Sequence, residues 1–254
     1  MKELFLKELR SNWRSFRYPA FFIVLLFFAL LAPPTNKYMS EILGMFAEGI
    51  DPSIFPEPTA EDSFIGYLGD IYGIGILVLI FILMGSVARE KENGVTGWIL
   101  SKPVSRWSYL NAKIIVHLVI VFFAVTLANT VGYLYTWSLL GEIPLVGVAW
   151  ATISLIVFMW LFAVITFAMS VVLKSSFQAG GVSVVIFFIT GILNMFVGAL
   201  DMGRFYPNTL LSELPRLVTG VSGPEEILPP LVVTFAIGIL IYILAGRKFA
   251  RMEQ

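Results

Sequence analysis

Residues 146–173 read VGVAWATISLIVFMWLFAVITFAMSVVL, an apolar run that contains no charged side chain. A helix crosses the roughly 30 Å hydrocarbon core of a bilayer with about 20 residues, so this run is long enough to span it. Backbone amides inside lipid must be hydrogen-bonded within the protein, and the run lacks the alternation of a barrel strand. The stretch therefore predicts a transmembrane α-helix.

Five further apolar runs have the same character. They cover residues 18–33, 67–88, 114–140, 180–200 and 229–246. The predicted fold is all-α, a polytopic membrane protein whose six transmembrane helices form a single transmembrane domain over residues 1–254.

The composition excludes an ordinary soluble globule. Hydrophobic residues make up 58% and charged residues 13% of the chain, and the mean hydropathy is +0.87; soluble domains have about 25% charged residues. Lys plus Arg and Asp plus Glu both number 17, so no excess positive charge is available for nucleic acid. Cysteine is absent, which excludes disulfides, thiolate metal sites and cysteine nucleophiles.

Positive charges are distributed unevenly among the predicted connections. With both termini cytosolic, 14 of the 17 Lys and Arg residues lie on the cytosolic side, and only Lys37, Arg204 and Arg216 lie outside. Because Lys and Arg concentrate in cytosolic connections, we expect a multi-pass protein of the cell membrane with both termini in the cytosol.

Residues 1–17 predict an amphipathic interfacial helix along the inner leaflet. Basic residues occupy the other faces of this helix. The apolar side chains recur at steps of four and three, at Met1, Phe5, Leu9, Trp13 and Phe16. Such a helix can anchor the first span, contact a cytosolic partner, or do both.

The cytosolic connection between the second and third spans, residues 89–113, contains the most informative motif. A short helix is predicted at 95–102, after a tight turn at Asn93 and Gly94. Thr96 is the candidate cap of this helix, and Ser105 is the candidate cap of the third span.

This short helix is apolar although it lies on the cytosolic side. Trp98, Ile99 and Leu100 follow one another in it, and Pro103 ends it. An exposed apolar helix either packs under the bundle or docks into another protein.

The outer connection before the sixth span, residues 201–228, holds a second short apolar helix at 209–218. Asn208 is its candidate cap, Pro215 interrupts it and Gly220 follows it. A broken apolar segment beside a span suggests a re-entrant segment, and an interfacial loop would give the same pattern.

The residues needed for catalysis or ATP hydrolysis by this chain are missing. His117 is the single histidine, so neither a His–Cys pair nor a two-histidine metal motif can form. No GxxxxGK[ST] phosphate loop is present. Polar residues within the spans, such as Asn129, are too sparse for a proton relay or an ion path, and Asp70 is expected at the water interface. We therefore expect no catalytic, cofactor-binding or metal-ligating residue, and an energy source on a partner.

Three segments together carry a family resemblance. KELR at residues 7–10 lies on the basic amphipathic start, and EKENG at 90–94 is followed by SKPVSR at 101–106. With residues 207–220 before the last span, they resemble the membrane subunit of the type-2 permease (ABC-2, type V exporter-like) family of ATP-binding-cassette (ABC) exporters. The middle pair is similar to the family's Glu-x-Glu-x-Gly-Thr and Leu-Ser-x-Pro-Val-Ser-Arg pattern, although Val95 stands where the pattern has Thr.

The resemblance implies a transporter subunit that is not itself an enzyme. The short helix would be a coupling helix seated on a cytosolic ABC-type ATPase, and that separate chain would bind ATP and magnesium. Two ATPase copies would serve two permeases, identical or related, within membrane lipid. Asn194 would lie near the pathway at the permease interface. The ATPase-coupling residues would be Glu90, Glu92, Gly94, Trp98, Ile99, Leu100, Pro103 and Arg106.

The residues alone leave two other functions open. A membrane scaffold or sensor could use the same apolar helix to recruit a cytosolic protein without moving a substrate. An ion-gradient-coupled carrier is disfavoured by the sparse intramembrane charge. The cargo is not identified by the sequence, although few charges suit a lipid-like, peptide or hydrophobic cargo better than a small ion.

Overall fold

The structure is a computed structural model that describes residues 2–46, 58–101, 105–197 and 201–251. Helices account for nearly all of this described part, and no strand occurs in it. In chain order the helices are α1 Lys2–Arg14, α2 Arg17–Lys37, α3 Met39–Phe46, α4 Ala60–Asp70, a π-helix Ile71–Gly75, α5 Ile76–Leu83, α6 Ala88–Glu92, α7 Val95–Leu100, α8 Arg106–Leu140, α9 Leu145–Val172, α10 Ser176–Val197, a 3-10 helix Asp201–Phe205, α11 Thr209–Ser212, α12 Leu214–Val218 and α13 Pro224–Arg251.

Six helical stretches in the described ranges are long and apolar enough to cross a membrane. They are Arg17–Lys37, Ala60–Glu92, Arg106–Leu140, Leu145–Val172, Ser176–Val197 and Pro224–Arg251. The predicted all-α, six-helix membrane fold is therefore confirmed.

Contacts between connections on the same side of the bundle define its two ends. At one end, called the proximal end below, Lys91 Nζ donates to the carbonyl of Leu173 at 2.6 Å, and Arg106 donates to the carbonyl of Ala250 at 2.9 Å. The α1 helix lies at this end too, since Lys7 Nζ is 3.4 Å from a carboxylate oxygen of Glu90.

The opposite, distal end gathers the other connections. Lys37 Nζ, at the end of α2, donates to the carbonyl of Leu139 near the end of α8 at 3.0 Å. Tyr206, beyond α10, donates its hydroxyl to the carbonyl of Thr190 at 2.8 Å. The membrane-length helices thus alternate in direction through the bundle.

The α9 helix lies at the centre of the bundle, and α10 lies at its edge. Of the most apolar stretch of each helix, 83% is buried in α9 and only 11% in α10. Phe158 and Phe162 of α9 contact each other with ring centroids 5.2 Å apart, and Phe162 meets Phe187 of α10 edge-on at 5.3 Å. Since lipid is as apolar as these side chains, close packing rather than exclusion from water holds such helices together.

Two pairs of prolines, Pro33 with Pro34 and Pro229 with Pro230, lie inside helices, so the first and last membrane helices are longer than predicted. The α2 helix continues through Pro33 and Pro34 to Lys37, and Asn36 Nδ2 donates to the carbonyl of Ala32 at 2.9 Å. The two prolines have no N–H of their own, so the carbonyls of Ala29 and Leu30, four residues before them, lack their helical donors. At the other end of the chain, α13 begins at Pro224, where a missing N–H costs nothing because the first helical amides have no intrahelical acceptor.

The second span contains a feature that sequence patterns did not predict. The five residues Ile71–Gly75 form a π-helix between α4 and α5. A Cβ built on Gly75 would lie 3.0 Å from Leu25 and 3.1 Å from Met159, so the widened turn packs closely on α2 and α9. π-Helical turns are rare in proteins and are frequent at functional sites.

The segment before the last span forms two short helices instead of one. Pro215 lies in the first turn of α12, so the chain breaks at Glu213 between α11 and α12. Asn208 makes no capping hydrogen bond through its side chain, which corrects that prediction. Leu214 and Leu217 are buried. The re-entrant segment remains a prediction.

Candidate coupling site

The connection between the second and third spans forms a helical hairpin at the proximal end. The α6 helix ends at Glu92, and Asn93 and Gly94 form a turn before α7 begins at Val95. Gly94 has a φ of 69°, a left-handed conformation that a side chain disfavours. The predicted tight turn is therefore confirmed.

The α7 helix presents its tryptophan outward. Trp98 exposes 73% of its surface, and Val95 exposes 39%. Thr96 is buried and lies within α7 rather than before it, so the prediction that it caps this helix is wrong. The side chains of Ile99 and Leu100, and all of Pro103, lie outside the described residues. Of the three predicted apolar docking side chains, the described one points away from the bundle.

Glu92 caps the fifth membrane helix. Its carboxylate accepts hydrogen bonds from the backbone N–H of Ser176 at 2.9 Å and from the Ser176 hydroxyl at 3.0 Å. Ser176 is the first residue of α10, where unpaired N–H groups and the helix dipole favour a negative charge. A residue predicted to face an ATPase is thus bound to the bundle.

Arg106 binds the end of the last helix in a similar way. Its guanidinium donates to the carbonyls of Phe249 at 3.1 Å and Ala250 at 2.9 Å, in the last turn of α13. Cations near a helix C-terminus stabilise the carbonyls that have no intrahelical partner. Ser105, directly before it, accepts a hydrogen bond from the backbone N–H of Ser108, so its predicted capping of the third span is confirmed.

Glu90 belongs to a cluster of charges that joins three elements. One carboxylate oxygen lies 3.0 Å from Lys113 Nζ and 3.4 Å from Lys7 Nζ, and the other accepts a hydrogen bond from the Tyr109 hydroxyl. Lys7 lies on α1, whereas Tyr109 and Lys113 lie on α8. The α1 helix and the proximal end of α8 are therefore both bound to the connection through Glu90.

Lys113 is the buried centre of this cluster. Its side chain is 3% exposed, and its Nζ lies 2.8 Å from a carboxylate oxygen of Glu8, which is 8% exposed. Asn12 Nδ2 donates to the other oxygen of Glu8 at 2.9 Å. We call Glu8, Asn12, Glu90, Tyr109 and Lys113 the proximal ion cluster.

The pKa of Glu8 reflects its place in this cluster. Burial by itself raises the pKa of a carboxyl group, but the Lys113 ammonium and the hydrogen bond from Asn12 act in the opposite direction and prevail. The net result is a pKa below the ordinary value of 4.5, so Glu8 is ionised at neutral pH.

The α1 helix docks on the bundle with its polar side. Glu8 and Asn12 are buried against α8, while Leu6, Trp13 and Phe16 are 41%, 51% and 61% exposed. A buried ammonium on α8 explains why this side of the helix faces inward. Trp13 and Phe16 of the predicted apolar stripe face outward, whereas Phe5 and Leu9 are half-buried and pack against the cluster of Tyr18, Val116 and Ile120.

The polar residues with no assigned role are mostly packed between helices. His117 is buried between the Tyr18 hydroxyl at 2.8 Å and the Ser86 hydroxyl at 2.6 Å, so it links three spans. Asn129 is buried as well, whereas Asp70 is exposed and Asn194 is half-buried on α10. Within the described ranges, no group of three His, Cys, Asp or Glu residues could hold a metal ion.

Sequence reasoning missed Glu8, Tyr109 and Lys113. Lys113 was counted only as one more cytosolic positive charge. Its signal is its position directly before the apolar run 114–140, where a charge that lies against the bundle needs a partner. The partners themselves lie 105 and 23 residues away along the chain, and no local pattern identifies them.

Comparison with known proteins agrees with this architecture. Residues 35–247 match the sequence model of the family described as ABC-2 family transporter protein. An uncharacterized transmembrane protein of Bacillus subtilis (strain 168), YxlG, is 30% identical over 138 residues. That alignment covers 53% of this chain and 53% of YxlG, so the matched region spans about half the length of each. Because the family match extends over most of the sequence, this chain belongs to the ABC-2 family of transporter membrane proteins.

Proposed function

We propose that this chain is the permease subunit of an ATP-driven exporter and that α7 is its coupling helix. A cytosolic ABC-type ATPase would seat Trp98 in an apolar groove and would bind ATP and magnesium itself. The observation that carries the proposal is the exposure of Trp98 on a short helix flanked by Glu90, Glu92 and Arg106, each of which binds another part of the bundle. An aromatic side chain presented on a fixed support is the kind of anchor that dominates protein interfaces.

The orientation follows from the distribution of charge between the two ends. The proximal end holds α1 with its lysines and arginines and the basic end of α13. The three predicted outer cations, Lys37, Arg204 and Arg216, belong to the distal connections. The positive-inside rule therefore supports a proximal end in the cytosol of a cell, with both termini there and the distal end outside.

The contacts around α7 suggest how force would reach the membrane helices. Glu92 holds the start of α10, Arg106 holds the end of α13, and Glu90 holds α1 and α8. Because charge-assisted hydrogen bonds are short and directional, a displacement of α7 would be passed to four helices at once. An ATPase that closes on α7 would thereby change the packing at the proximal end of the bundle.

A second permease copy would complete the pathway. The α10 helix is the least buried of the six spans, and its exposed side chains are large and apolar, including Phe188, Met195 and Phe196. This surface suits either lipid or an identical or related permease. Asn194 lies on the same helix and is the candidate polar residue of the pathway.

Site-directed crosslinking tests the proposal directly, since the chain contains no cysteine. Trp98→Cys, labelled with a thiol-reactive photocrosslinker in native membranes, is expected to capture a P-loop ATPase. The matched control is Trp137→Cys at the distal end, where Trp137 is 50% exposed, and it is expected to capture none. Mild-detergent extraction of the tagged protein should yield the same ATPase at about one copy per permease, together with magnesium-dependent ATP hydrolysis.

Other outcomes would favour the other functions. Capture of a protein that has no ATPase fold would indicate a scaffold or sensor. Transport that continues without ATP and collapses with the proton or sodium gradient would indicate a carrier. Transport that persists after Trp98→Ala, Ile99→Ala and Leu100→Ala together would refute the docking role of α7.

A further inference from the structure

The last turns of α13 carry three cations on one face. Arg247, Lys248 and Arg251 lie three, four and seven residues after Leu244, a spacing that places all four side chains on the same side of a helix. All four are exposed, and together they enclose an open space of about 470 Å³. This surface, which we call the basic face, therefore has room for a ligand between its cations.

The basic face has no counter-charge within the described part of the chain. No side-chain hydrogen bond or ion pair between described residues involves its three cations. The carbonyls at the end of α13, which cations of the last turn often bind, are held by Arg106 instead. Lys91 of α6 lies within electrostatic range of Lys248 and adds a like charge. The positive charge is thus left for an anion from outside the chain.

The length of α13 puts the basic face at the depth of the lipid headgroups. At 1.5 Å per residue, its 28 residues span about 42 Å, and a bilayer is about 40–45 Å thick with its headgroup layers. Its hydrocarbon core accounts for about 30 Å, which leaves about 5–8 Å for each layer. Residues 247–251 cover about 6 Å along the helix axis, so the three cations fit within one headgroup layer.

An apolar strip leads from the basic face toward the membrane interior. Leu244 and Leu240 follow each other at a spacing of four on the same side of α13, and they are 54% and 56% exposed. A lipid whose phosphate binds the cations can lay its acyl chain along both leucines. A free anion would leave this strip unused, so the combination of the two surfaces favours a lipid.

We propose that the basic face binds a phospholipid whose headgroup carries a net negative charge. The phosphate accepts hydrogen bonds from the guanidinium groups of Arg247 and Arg251, and Lys248 adds a point charge beside it. A zwitterionic phospholipid offers the same phosphate but brings an ammonium group that the three cations repel. The site uses neither α7 nor the proximal ion cluster, so it does not depend on the proposed docking of an ATPase.

Fluorescence quenching by brominated lipids tests the site. Because the chain contains no cysteine, Leu240→Cys labelled with bimane places a single probe on the apolar strip. The full chain is reconstituted in bilayers of phosphatidylglycerol and phosphatidylcholine, and either one or the other lipid carries brominated acyl chains. We expect a preference for phosphatidylglycerol of at least about fivefold beside the probe, which is the effect of one cation at about 1 kcal/mol.

A second label position on the same helix is the matched control. Val232 is 62% exposed on the distal half of α13, far from the basic face. Bimane at Val232→Cys should be quenched without a preference for phosphatidylglycerol. A preference of equal size at both positions would show a general attraction of the protein for anionic lipid and would overturn the proposal.

Neutral variants identify the cations that bind the lipid. With Arg247→Gln, Lys248→Gln and Arg251→Gln together, the preference at Leu240→Cys should fall to less than about twofold. These side chains make no described contact, so the bundle should stay intact, which unchanged quenching by brominated phosphatidylcholine would verify.

The control for lost charge lies at the distal end. Arg204→Gln with Arg216→Gln removes two exposed cations there and should leave the preference unchanged. Equal quenching by the two lipids at Leu240→Cys, or a preference that survives the triple variant, would overturn the proposal. If the original protein shows no lipid preference and the triple variant loses a co-purifying ATPase, the basic face is a protein contact instead.

Discussion

Replacement of Lys113 by Met tests whether the proximal ion cluster holds α1 on the bundle. The substitution keeps most of the side-chain volume and removes the charge that faces Glu8 at 2.8 Å and Glu90 at 3.0 Å. Removing one member of a buried ion pair typically costs 3–5 kcal/mol, because the other charge is left buried without compensation. Glu90 is 21% exposed and keeps Lys7 nearby, so the lower end of that range applies, about 3 kcal/mol.

The cost falls on the docking of α1, and amide hydrogen exchange measures it. Since about 1.4 kcal/mol corresponds to a factor of ten, α1 amides should exchange on the order of 100-fold faster in Lys113→Met. The membrane helices away from the cluster, such as α10, should keep their protection. The matched control is Arg216→Met, which breaks the exposed pair of Glu213 and Arg216. We expect this variant to change amide exchange by at most about twofold.

A double variant distinguishes a buried charge from lost packing. If Glu8→Gln is added to Lys113→Met, neither buried charge remains, and protection of α1 should return to within about fivefold of the original protein. Unchanged exchange in Lys113→Met would show that α1 is held by other contacts. A double variant as exposed as the single one would show that packing around the lysine, and not its charge, holds the helix.

Three further predictions follow from individual contacts. The pKa of Glu8 lies below 4.5, so its contribution to α1 docking is complete above that pH and is lost as the pH falls through the lowered value. Amide exchange of α1 should therefore become faster in acid. Glu8→Gln should remove this pH dependence. Glu92→Gln should speed exchange at Ser176, the first residue of α10, because the cap loses its charge. Gly147→Ala places a Cβ 2.0 Å from the carbonyl oxygen of Leu217 and should lower thermal stability by about 2 kcal/mol or more, whereas Gly191→Ala, which meets no atom within 4 Å, should not.

Local sequence signals predicted local structure well. The six apolar runs became six membrane-length helices, and the Asn93 and Gly94 pair formed a turn with Gly94 at positive φ. Ser105 caps α8 because its hydroxyl and the backbone N–H that donates to it, that of Ser108, lie three residues apart. Each of these features depends on neighbours along the chain, which a sequence shows directly.

The contacts of the candidate site could not be predicted in this way. Glu92 binds a residue 84 positions away, and Arg106 binds carbonyls 143 and 144 positions away. Carboxylates and guanidinium groups beside an exposed tryptophan resemble the charged rim of an interface, so their predicted role was contact with an ATPase. In the structure Glu92 binds the start of α10 and Arg106 binds the end of α13, and the coupling role of the hairpin remains a proposal carried by Trp98.

The two parts of the proximal ion cluster, the pair of Glu8 with Lys113 and the contacts of Glu90, differ in how readily they could change partners. Glu8 and Lys113 are almost fully buried, so separating them would expose two charges to a low-dielectric interior. Glu90 is 21% exposed, and its second cation, Lys7, is 48% exposed, so water can replace the contact between these two at small cost. A movement of α7 would therefore first lengthen the bonds of Glu90, while α1 stays joined to α8 through Lys113. On this reasoning Glu90→Gln should loosen the hairpin and leave α1 in place, whereas Lys113→Met should release α1 itself.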